Sequence, residues 1–276
     1  ASNGQVTFTQ TLIGTALDIS GDADIDGTLE TDALTINGSA VNYKAFGTSS
    51  IMLGDNATGT IDAANFNTGV GVDVFAALTS ADGNTAVGYQ ALDANTTGAE
   101  NVAIGKSALS ANTTAMQNVA VGTESLQDNT TGTNNVALGT GSLKENTTAD
   151  SNTALGNFAL RDNTTGHSNV AIGKDALLAN TTANFNVAVG VDALTANTTG
   201  SENTAIGIQA MIANTTGTAN VAIGTSALDA NTTASNNTAV GASALGVNTT
   251  GADNVAVGAN ALDASTTGNN NTAVGR

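Results

Sequence analysis

The chain has 276 residues, of which 40% are hydrophobic but only 3% aromatic, and it contains no Trp, Cys or Pro. Its formal net charge is −17, which disfavours nucleic acid and anionic membranes as partners. No apolar run reaches the roughly 18 residues of a membrane span, so no membrane insertion is expected. Side chains this small fill a narrow core, as in repeat proteins, but not a wide globular one.

Residues 1–49 differ from the rest of the chain and are interpreted as a β-rich shaft or attachment segment. Within it, Asp22–Gly27 reads DADIDG, the first half of a calcium loop in which alternate carboxylates converge on a hard cation. The twelfth position of such a loop is Ala33 instead of Glu, and simple alternation with Ala23 and Ile25 explains the motif equally well. No metal site is assigned, and calcium binding stays open.

Four aromatic residues, Tyr43, Phe46, Phe66 and Phe75, cluster between this segment and the regular part of the chain. Large side chains fit where a regular stack of small ones must stop. We therefore predict a junction core that caps the stack, with a binding patch as the alternative.

From Asn84 onwards the chain repeats every 17 residues without insertion. Each repeat is called a coil here, and its positions are numbered 1 to 17 from its first residue. Eleven full copies and the start of a twelfth begin at Asn84, Asn101, Asn118, Asn135, Asn152, Asn169, Asn186, Asn203, Asn220, Asn237, Asn254 and Asn271.

The regular array is assigned to residues 84–276, and residues 50–83 are assigned to two degenerate entry coils. These entry coils are Ser50–Phe66 and Asn67–Gly83, which keep the length of the repeat. Arg276 lies six residues into a coil, whereas a solenoid needs a capping unit on its last open edge. We therefore expect the array to continue beyond Arg276.

Several positions are fixed in the full coils: Ala at 3, Gly at 5, Leu at 9 except Met211, Asn at 12 except Ser265, and Thr at 13 and 14. Charged residues occur only at positions 6, 7, 10, 11, 16 and 17, which are predicted to face solvent. The fixed positions of the first three coils are the predicted structural residues: Ala86, Gly88, Leu92, Asn95, Ala103, Gly105, Leu109, Asn112, Ala120, Gly122, Leu126 and Asn129.

The pattern N-[VT]-A-[IVL]-G predicts a short strand, and its Gly predicts a turn with positive φ. A second extended piece is expected around the Leu at position 9. Asn and Thr at positions 12 to 14 are expected to bond to nearby backbone or to stack on their equivalents in adjacent coils. The predicted fold class is all-β, a parallel β-solenoid or β-roll of 17-residue coils.

Alternation along the strand separates positions 2 and 4 from the Ala at position 3. We expect the Val, Ile and Leu side chains to face the core and the Ala to lie on a free face. A small residue on a free face permits close approach of another backbone, which predicts a homotrimer. A monomeric solenoid is the alternative.

His167, the only histidine, occupies position 16 of its coil and is interpreted as a solvated surface residue. The many Ser and Thr residues have no recurring His partner, and there is no Cys. The sequence therefore predicts no catalytic residue, no cofactor and no enzymatic activity. Because adjacent strand residues face opposite sides, only one Thr of each pair is displayed; such an array leaves ice binding as one alternative.

Several segments of the chain resemble repeats of known protein families. NVAIG (Asn101–Gly105) and NTAVG (Asn84–Gly88) resemble the head repeats of trimeric autotransporter adhesins, which are shorter and form a left-handed parallel β-roll in a trimer. NTAVGYQALDANTTG (Asn84–Gly98) is similar to repeats of tail-fibre and appendage proteins of tailed phages, marine phages among them. Ala16–Gly38 is similar to shaft or attachment segments of phage fibres.

This resemblance implies a structural fibre of a phage virion that spaces and presents a host receptor-binding tip. The implied partners are two further copies of the chain, other virion structural proteins bound by the N-terminal segment, and a host cell-surface receptor bound by a distal region. The implied location is an extracellular appendage of the virion. The alternatives are a trimeric adhesin on a bacterial surface and an ice-binding solenoid.

Overall fold

The structure is a computed structural model that describes four short strands before residue 54 and all of residues 64–276, with side chains from Ala64 onward. Asp22–Gly27 lies outside the described residues, as do the side chains of Tyr43 and Phe46. The chain divides into two compact units, Ala1–Ala40 and Val41–Arg276. Strands β1 (Leu34–Ile36) and β2 (Ser39–Val41) pair with each other in a two-stranded sheet.

The second unit is built on one 15-stranded sheet whose strands follow the order of the chain. Strand β3 (Tyr43–Phe46) pairs antiparallel with β4 (Ser50–Leu53), and every later pair is parallel. The later strands are β5 (Thr68–Val70), β6 (Thr85–Val87), β7 (Val102–Ile104), β8 (Val119–Val121), β9 (Val136–Leu138), β10 (Thr153–Leu155), β11 (Val170–Ile172), β12 (Val187–Val189), β13 (Thr204–Ile206), β14 (Val221–Ile223), β15 (Thr238–Val240), β16 (Val255–Val257) and β17 (Thr272–Val274). The predicted parallel β-solenoid is thus confirmed.

The register of the sheet equals the length of the repeat. Ala103 lies opposite Ala86 on one side and Ala120 on the other, each 17 residues away in the chain. One repeat is therefore one turn of the solenoid, and each strand residue lies opposite its equivalent in the next coil. At about 4.8 Å per strand, the stack from β5 to β17 extends over about 60 Å.

Each strand from β5 onward is followed by the Gly of position 5, whose φ lies between 127° at Gly275 and 142° at Gly71. A Cβ at Gly105 would also lie 2.4 Å from the carbonyl oxygen of Gly122 in the next coil. The predicted turn is confirmed, and Gly is required there both by its backbone angle and by the close approach of the next coil.

The extended piece predicted around position 9 is wrong, because positions 6 to 11 form a turn. Two residues of this turn are left-handed in each coil, for example Glu124 with φ 58° and Leu126 with φ 50°. Such a conformation is unfavourable for a residue with a side chain. Two features offset this cost at Leu126. Its N–H donates to the Ser142 carbonyl of the next coil at 3.0 Å, and its side chain is completely buried.

The core contains position 3, position 8 and the Leu of position 9, so the predicted orientation of the strand is wrong. Ala137 and Leu143 are fully buried, whereas Val136 is half-buried and Leu138 is 40% exposed. In the regular coils the one large apolar side chain in the core is the Leu of position 9, or Met211 in one coil. The strand must then turn its smallest residue inward, so the argument for a trimer from a free Ala face fails.

The predicted aromatic junction core is correct for one residue and wrong for another. Phe75 is fully buried at position 9 of its coil, where later coils have Leu, and Leu78 is buried at position 12, where they have Asn. Phe66 is 63% exposed and does not join a core. The first described coil is thus filled by two large apolar side chains.

The orientation of the strand is tested by replacing Ala137 with Leu, which adds volume to a filled core and should lower the free energy of unfolding by about 1–3 kcal/mol. Val136→Thr is the matched control, because Thr153 occupies the equivalent outward position in the next coil. Urea unfolding followed by circular dichroism measures both. Equal stability of the two variants would contradict an inward Ala.

Candidate self-association surface

Asparagines at position 1 form a hydrogen-bonded ladder through the interior. Oδ1 of the fully buried Asn152 accepts from the Asn169 backbone N–H at 2.9 Å and from Asn169 Nδ2 at 3.2 Å. Its Nδ2 donates to the Gly166 carbonyl at 2.9 Å and to Asn135 Oδ1 at 3.3 Å. Only a primary amide offers two acceptor lone pairs and two donors on one short side chain, which accounts for Asn at this position.

A second ladder runs through the asparagines of position 12 and meets the first at each coil. Asn163 Nδ2 donates to Asn146 Oδ1 at 3.0 Å and to the Gly166 carbonyl at 2.9 Å. That carbonyl also accepts from Asn152, so the two ladders together hold the closing corner of the coil. Where Ser265 replaces Asn the ladder ends, and Asn248 Oδ1 is the one buried side-chain polar atom without a partner in the described part of the chain.

The two threonines of each coil have different roles. Thr130 Oγ1 at position 13 donates to the Thr147 carbonyl of the next coil at 3.0 Å, and its side chain is half-buried. Thr131 at position 14 is exposed, as are its equivalents. The expected bonding of Asn and Thr to neighbouring backbone is confirmed, and so is the display of one Thr per coil.

The outward side chains of positions 2 and 4 form a continuous surface, which we call the apolar ribbon. It runs from β5 to β17 and contains only Val, Ile, Leu and Thr. Ile104, Leu138 and Ile206 on it are 39%, 40% and 39% exposed. A strip about 60 Å long and roughly 10 Å wide has an area on the order of 600 Å², taking about 4.8 Å per strand. That is the upper end of the apolar patches that monomeric proteins expose.

Negative charge is excluded from the ribbon and from its edge at position 6. From Asn67 onward, positions 2 to 6 carry no carboxylate in any coil, although the chain has 23 acidic residues. The charged residues at its edge are basic: Lys106, Lys174 and Arg276 at position 6. Another copy of the chain therefore meets no row of opposing carboxylates on this face, despite the net charge of −17.

Acidic residues lie on other faces of the coil, some against each other. Burial raises the pKa of Asp93, and the neighbouring charge of Asp73 raises it further. Burial also raises the pKa of Asp229, at the same coil position. Glu124 is different, because a hydrogen bond from Lys144 Nζ at 2.6 Å lowers the pKa of its carboxyl group.

The predicted structural residues all lie away from the ribbon. In the first three full coils, Ala, Leu and Asn of positions 3, 9 and 12 are fully buried, and the Gly of position 5 forms the turn. Sequence reasoning therefore missed the surface at positions 2 and 4. A signal was present, since position 3 is Ala in every full coil whereas position 2 is either Val or Thr, as outward positions tolerate.

Within the described residues, no helix could cross a lipid bilayer. In the same part of the chain, no three His, Asp or Glu side chains lie close enough to hold a metal ion. The sequence matches no protein-family model, and no curated protein is significantly similar to it. The protein is therefore classified by its fold alone, as a parallel β-solenoid with 17-residue coils.

The asparagine ladder is tested by Asn152→Ala, which leaves the Asn169 N–H without its acceptor. The Asn135 Oδ1 and the Gly166 carbonyl each lose one donor but keep another, from the residue-152 N–H and from Asn163. At about 1–3 kcal/mol for a buried polar group left unsatisfied, we expect a loss of about 1–3 kcal/mol. Asn134→Ala removes an exposed asparagine and is the control. A loss below about 1 kcal/mol for Asn152→Ala in urea unfolding would rule out a stabilising ladder.

The raised pKa of Asp93 predicts a pH effect. A carboxyl group whose pKa is higher in the folded state than unfolded favours folding when protonated, so its destabilising effect is present at neutral pH and vanishes below the usual aspartate range. Asp93→Asn should therefore raise the melting midpoint at pH 7 and leave it nearly unchanged near pH 3. Asp263→Asn, at the same coil position but exposed, is the control. A gain that is independent of pH would contradict this cause.

Proposed function

We propose that this chain is a structural fibre segment of a phage virion, which assembles as a homotrimer and holds a receptor-binding tip away from the particle. The observation that carries the proposal is the unbroken stack of coils of equal length with one uncharged apolar ribbon along it. The stack supports a spacer role, and the ribbon supports assembly with further copies. The phage assignment rests on the resemblance of the repeats to tail-fibre repeats.

A spacer must resist bending, and the bonding between coils favours stiffness. Leu109 N–H donates to the Ser125 carbonyl of the next coil at 3.0 Å, while Ser107 N–H donates to the Tyr89 carbonyl of the preceding coil at 2.8 Å. The sheet and both asparagine ladders add bonds along the same axis. A bend at any coil must therefore break hydrogen bonds at several corners together.

Assembly would remove the ribbon from water. Its area, on the order of 600 Å², approaches the roughly 800 Å² that each partner buries in a standard protein interface. The side chains on the ribbon of a second copy would repeat along the axis at the same spacing of about 4.8 Å, because neighbouring strands of any β-sheet are this far apart. Three copies are proposed because the repeats resemble trimeric adhesin heads, and a three-fold arrangement brings all ribbons to one axis.

The proposed action is mechanical and multivalent. Three chains would present three copies of a distal tip, so that weak single contacts with a host receptor add as avidity. Residues 1–49 would join the fibre to other virion proteins. A trimeric adhesin on a bacterial surface would use the same stack and the same ribbon, and it remains the alternative that the resemblance carries.

A second candidate function follows from the exposed Thr of position 14. This column is regular along the stack, and Thr131, Thr148 and Thr165 in successive coils are all exposed. Hydroxyl and methyl groups at constant spacing favour an ordered water layer, which is the basis of the ice-binding alternative. Thermal hysteresis of the purified chain would support it, and ordinary freezing behaviour would exclude it.

The test of assembly is the particle mass by light scattering coupled to size exclusion. The particle mass measured for the wild-type chain should be near three times the chain mass of 26.9 kDa. The double variant Ile172→Lys and Ile206→Lys, on the ribbon, should elute near 26.9 kDa with its β-sheet spectrum retained, because both positions are outward. Desolvating two added ammonium groups at the interface is strongly unfavourable.

Thr131→Lys with Thr199→Lys is the matched control, since it adds the same charge to exposed positions on another part of the coil. It should keep the wild-type mass. A monomeric wild-type chain, or the same loss of assembly in both double variants, would contradict assembly through the ribbon.

A further inference from the structure

The chain carries many copies of Asn-x-Thr, which together with Asn-x-Ser is the acceptor pattern for N-linked glycans. From Ala64 onward the pattern occurs twelve times. Ten copies are the N-T-T segments that begin at position 12, and the other two are N-N-T segments that begin at position 17, at Asn236 and Asn270. Asn37 and Asn56 also begin such a pattern but lie outside the described residues. The structure separates these asparagines into two kinds.

The ten asparagines of position 12 are closed to modification in the folded chain. All ten are fully buried. In Asn146, which represents them, Nδ2 donates to Asn129 Oδ1 at 2.8 Å and to the Ala149 carbonyl at 3.0 Å. Both amide hydrogens are therefore bonded inside the corner, where a sugar on this nitrogen would have no path to solvent.

Asn236 and Asn270 are open to solvent. Both are exposed at position 17 of their coils. Asn236 Nδ2 donates to Asp253 Oδ1 at 3.1 Å on the surface, while its backbone N–H donates to the Thr218 carbonyl at 3.1 Å. The backbone N–H of Asn270 donates to the equivalent carbonyl of Ala252 at 3.1 Å. The corner is thus held by main-chain bonds, which a modification of the side-chain amide leaves in place.

We propose that Asn236 and Asn270 are N-glycan acceptor sites that the folded chain tolerates, and that a glycan on any N-T-T asparagine prevents its coil from closing. In the transfer, Nδ2 forms a bond to C1 of the first sugar, and the bond between C1 and the pyrophosphate oxygen of the lipid-linked donor breaks. The lipid pyrophosphate leaves, and one amide proton passes to a base of the transferase. The inference is independent of the proposed function.

The single N–H that remains after transfer has different consequences at the two kinds of site. At Asn236 it still donates to Asp253, and the sugar extends into water. At Asn146 it serves one of two buried acceptors, and loss of the other bond adds to the exclusion of the sugar.

The closed sites also restrict where the chain can fold. A transferase must hold the acceptor amide in its own active site, so it reaches a position-12 asparagine only before the coil closes. With ten such sites in one chain, efficient transfer modifies nearly every chain at least once. The chain therefore folds intact only where its coils close before N-glycans are transferred, or where no transferase is present.

The test expresses the full chain behind a cleavable secretion leader in eukaryotic cells, with and without an inhibitor of lipid-linked donor synthesis. Without the inhibitor, the wild-type chain should carry glycans at N-T-T sites, stay in the cell and be digested rapidly by proteinase K. With the inhibitor it should be secreted unmodified, with the β-sheet circular dichroism spectrum and protease resistance of the chain made in bacteria.

The matched variant replaces the position-14 Thr of all ten N-T-T segments with Ala, which removes these acceptor patterns and keeps every buried Asn. Position 13 is left unchanged because its hydroxyl bonds to the next coil, as Thr130 does. The replaced threonines are all exposed, so the variant is expected to fold: Thr97, Thr114, Thr131, Thr148, Thr165, Thr182, Thr199, Thr216, Thr233 and Thr250.

Without the inhibitor, this variant should be secreted in a protease-resistant form, and peptide mass spectrometry should find glycans at Asn236 and Asn270. Adding Asn236→Gln and Asn270→Gln should remove both and leave secretion unchanged. The proposal is overturned if a secreted, protease-resistant wild-type chain carries a glycan at an N-T-T site. It is also overturned if the folded ten-Thr variant carries none at Asn236 and Asn270, or if the inhibitor does not restore folding of the wild-type chain.

Discussion

The structure depends on the buried asparagine amides. Each regular coil buries one large apolar side chain, and hydrogen bonds of asparagine hold its closing corner, where the first described coil buries Leu78 instead. The Gly166 carbonyl shows how, since it accepts from Asn152 and Asn163 of the same coil at 2.9 Å each. Each amide also bonds to its equivalent in the neighbouring coil, so closure of a coil and stacking of coils are one interaction. Because a buried amide without partners is strongly unfavourable, the register between coils is fixed at 17 residues.

The outer surface follows from this narrow interior. Asparagine and leucine occupy the available space, so the strand contributes only Ala137 and its equivalents to the core. Because successive side chains of a strand face opposite sides, Val136 and Leu138 then point outward, and in a single chain they contact water. The ribbon is thus a consequence of how the coil closes, and its apolar character along the whole stack favours a partner with the same repeat. The residue type varies from coil to coil mainly at the corners of the coil. The edge-to-face contact between His167 and Phe185 is the clearest departure from the repeat there.

The period and the fold class could be predicted from the sequence, because the spacing of 17 residues and the N-[VT]-A-[IVL]-G pattern leave few other arrangements. The turn at Gly105 could be predicted too, since Gly is invariant there. The inward face of the strand was predicted wrongly because hydrophobicity was given more weight than size. The turn around Leu126 was also missed, since leucine rarely adopts a left-handed backbone and only the bonding between coils stabilises it. The contact between the His167 and Phe185 rings depends on which residues meet across coils, and composition gives no sign of it.

The central claim is that register between coils, set by the asparagine ladders, holds the fold together. Deleting Asn118–Asn134 removes one whole coil and restores every ladder across the junction, whereas deleting only Val119–Asn134 leaves one residue too many and shifts them. The decisive measurement is the urea midpoint of both deletion variants beside the wild-type chain. The account predicts a near wild-type midpoint for the first variant and a clearly lower or split transition for the second. Equal midpoints for the two deletions would contradict it.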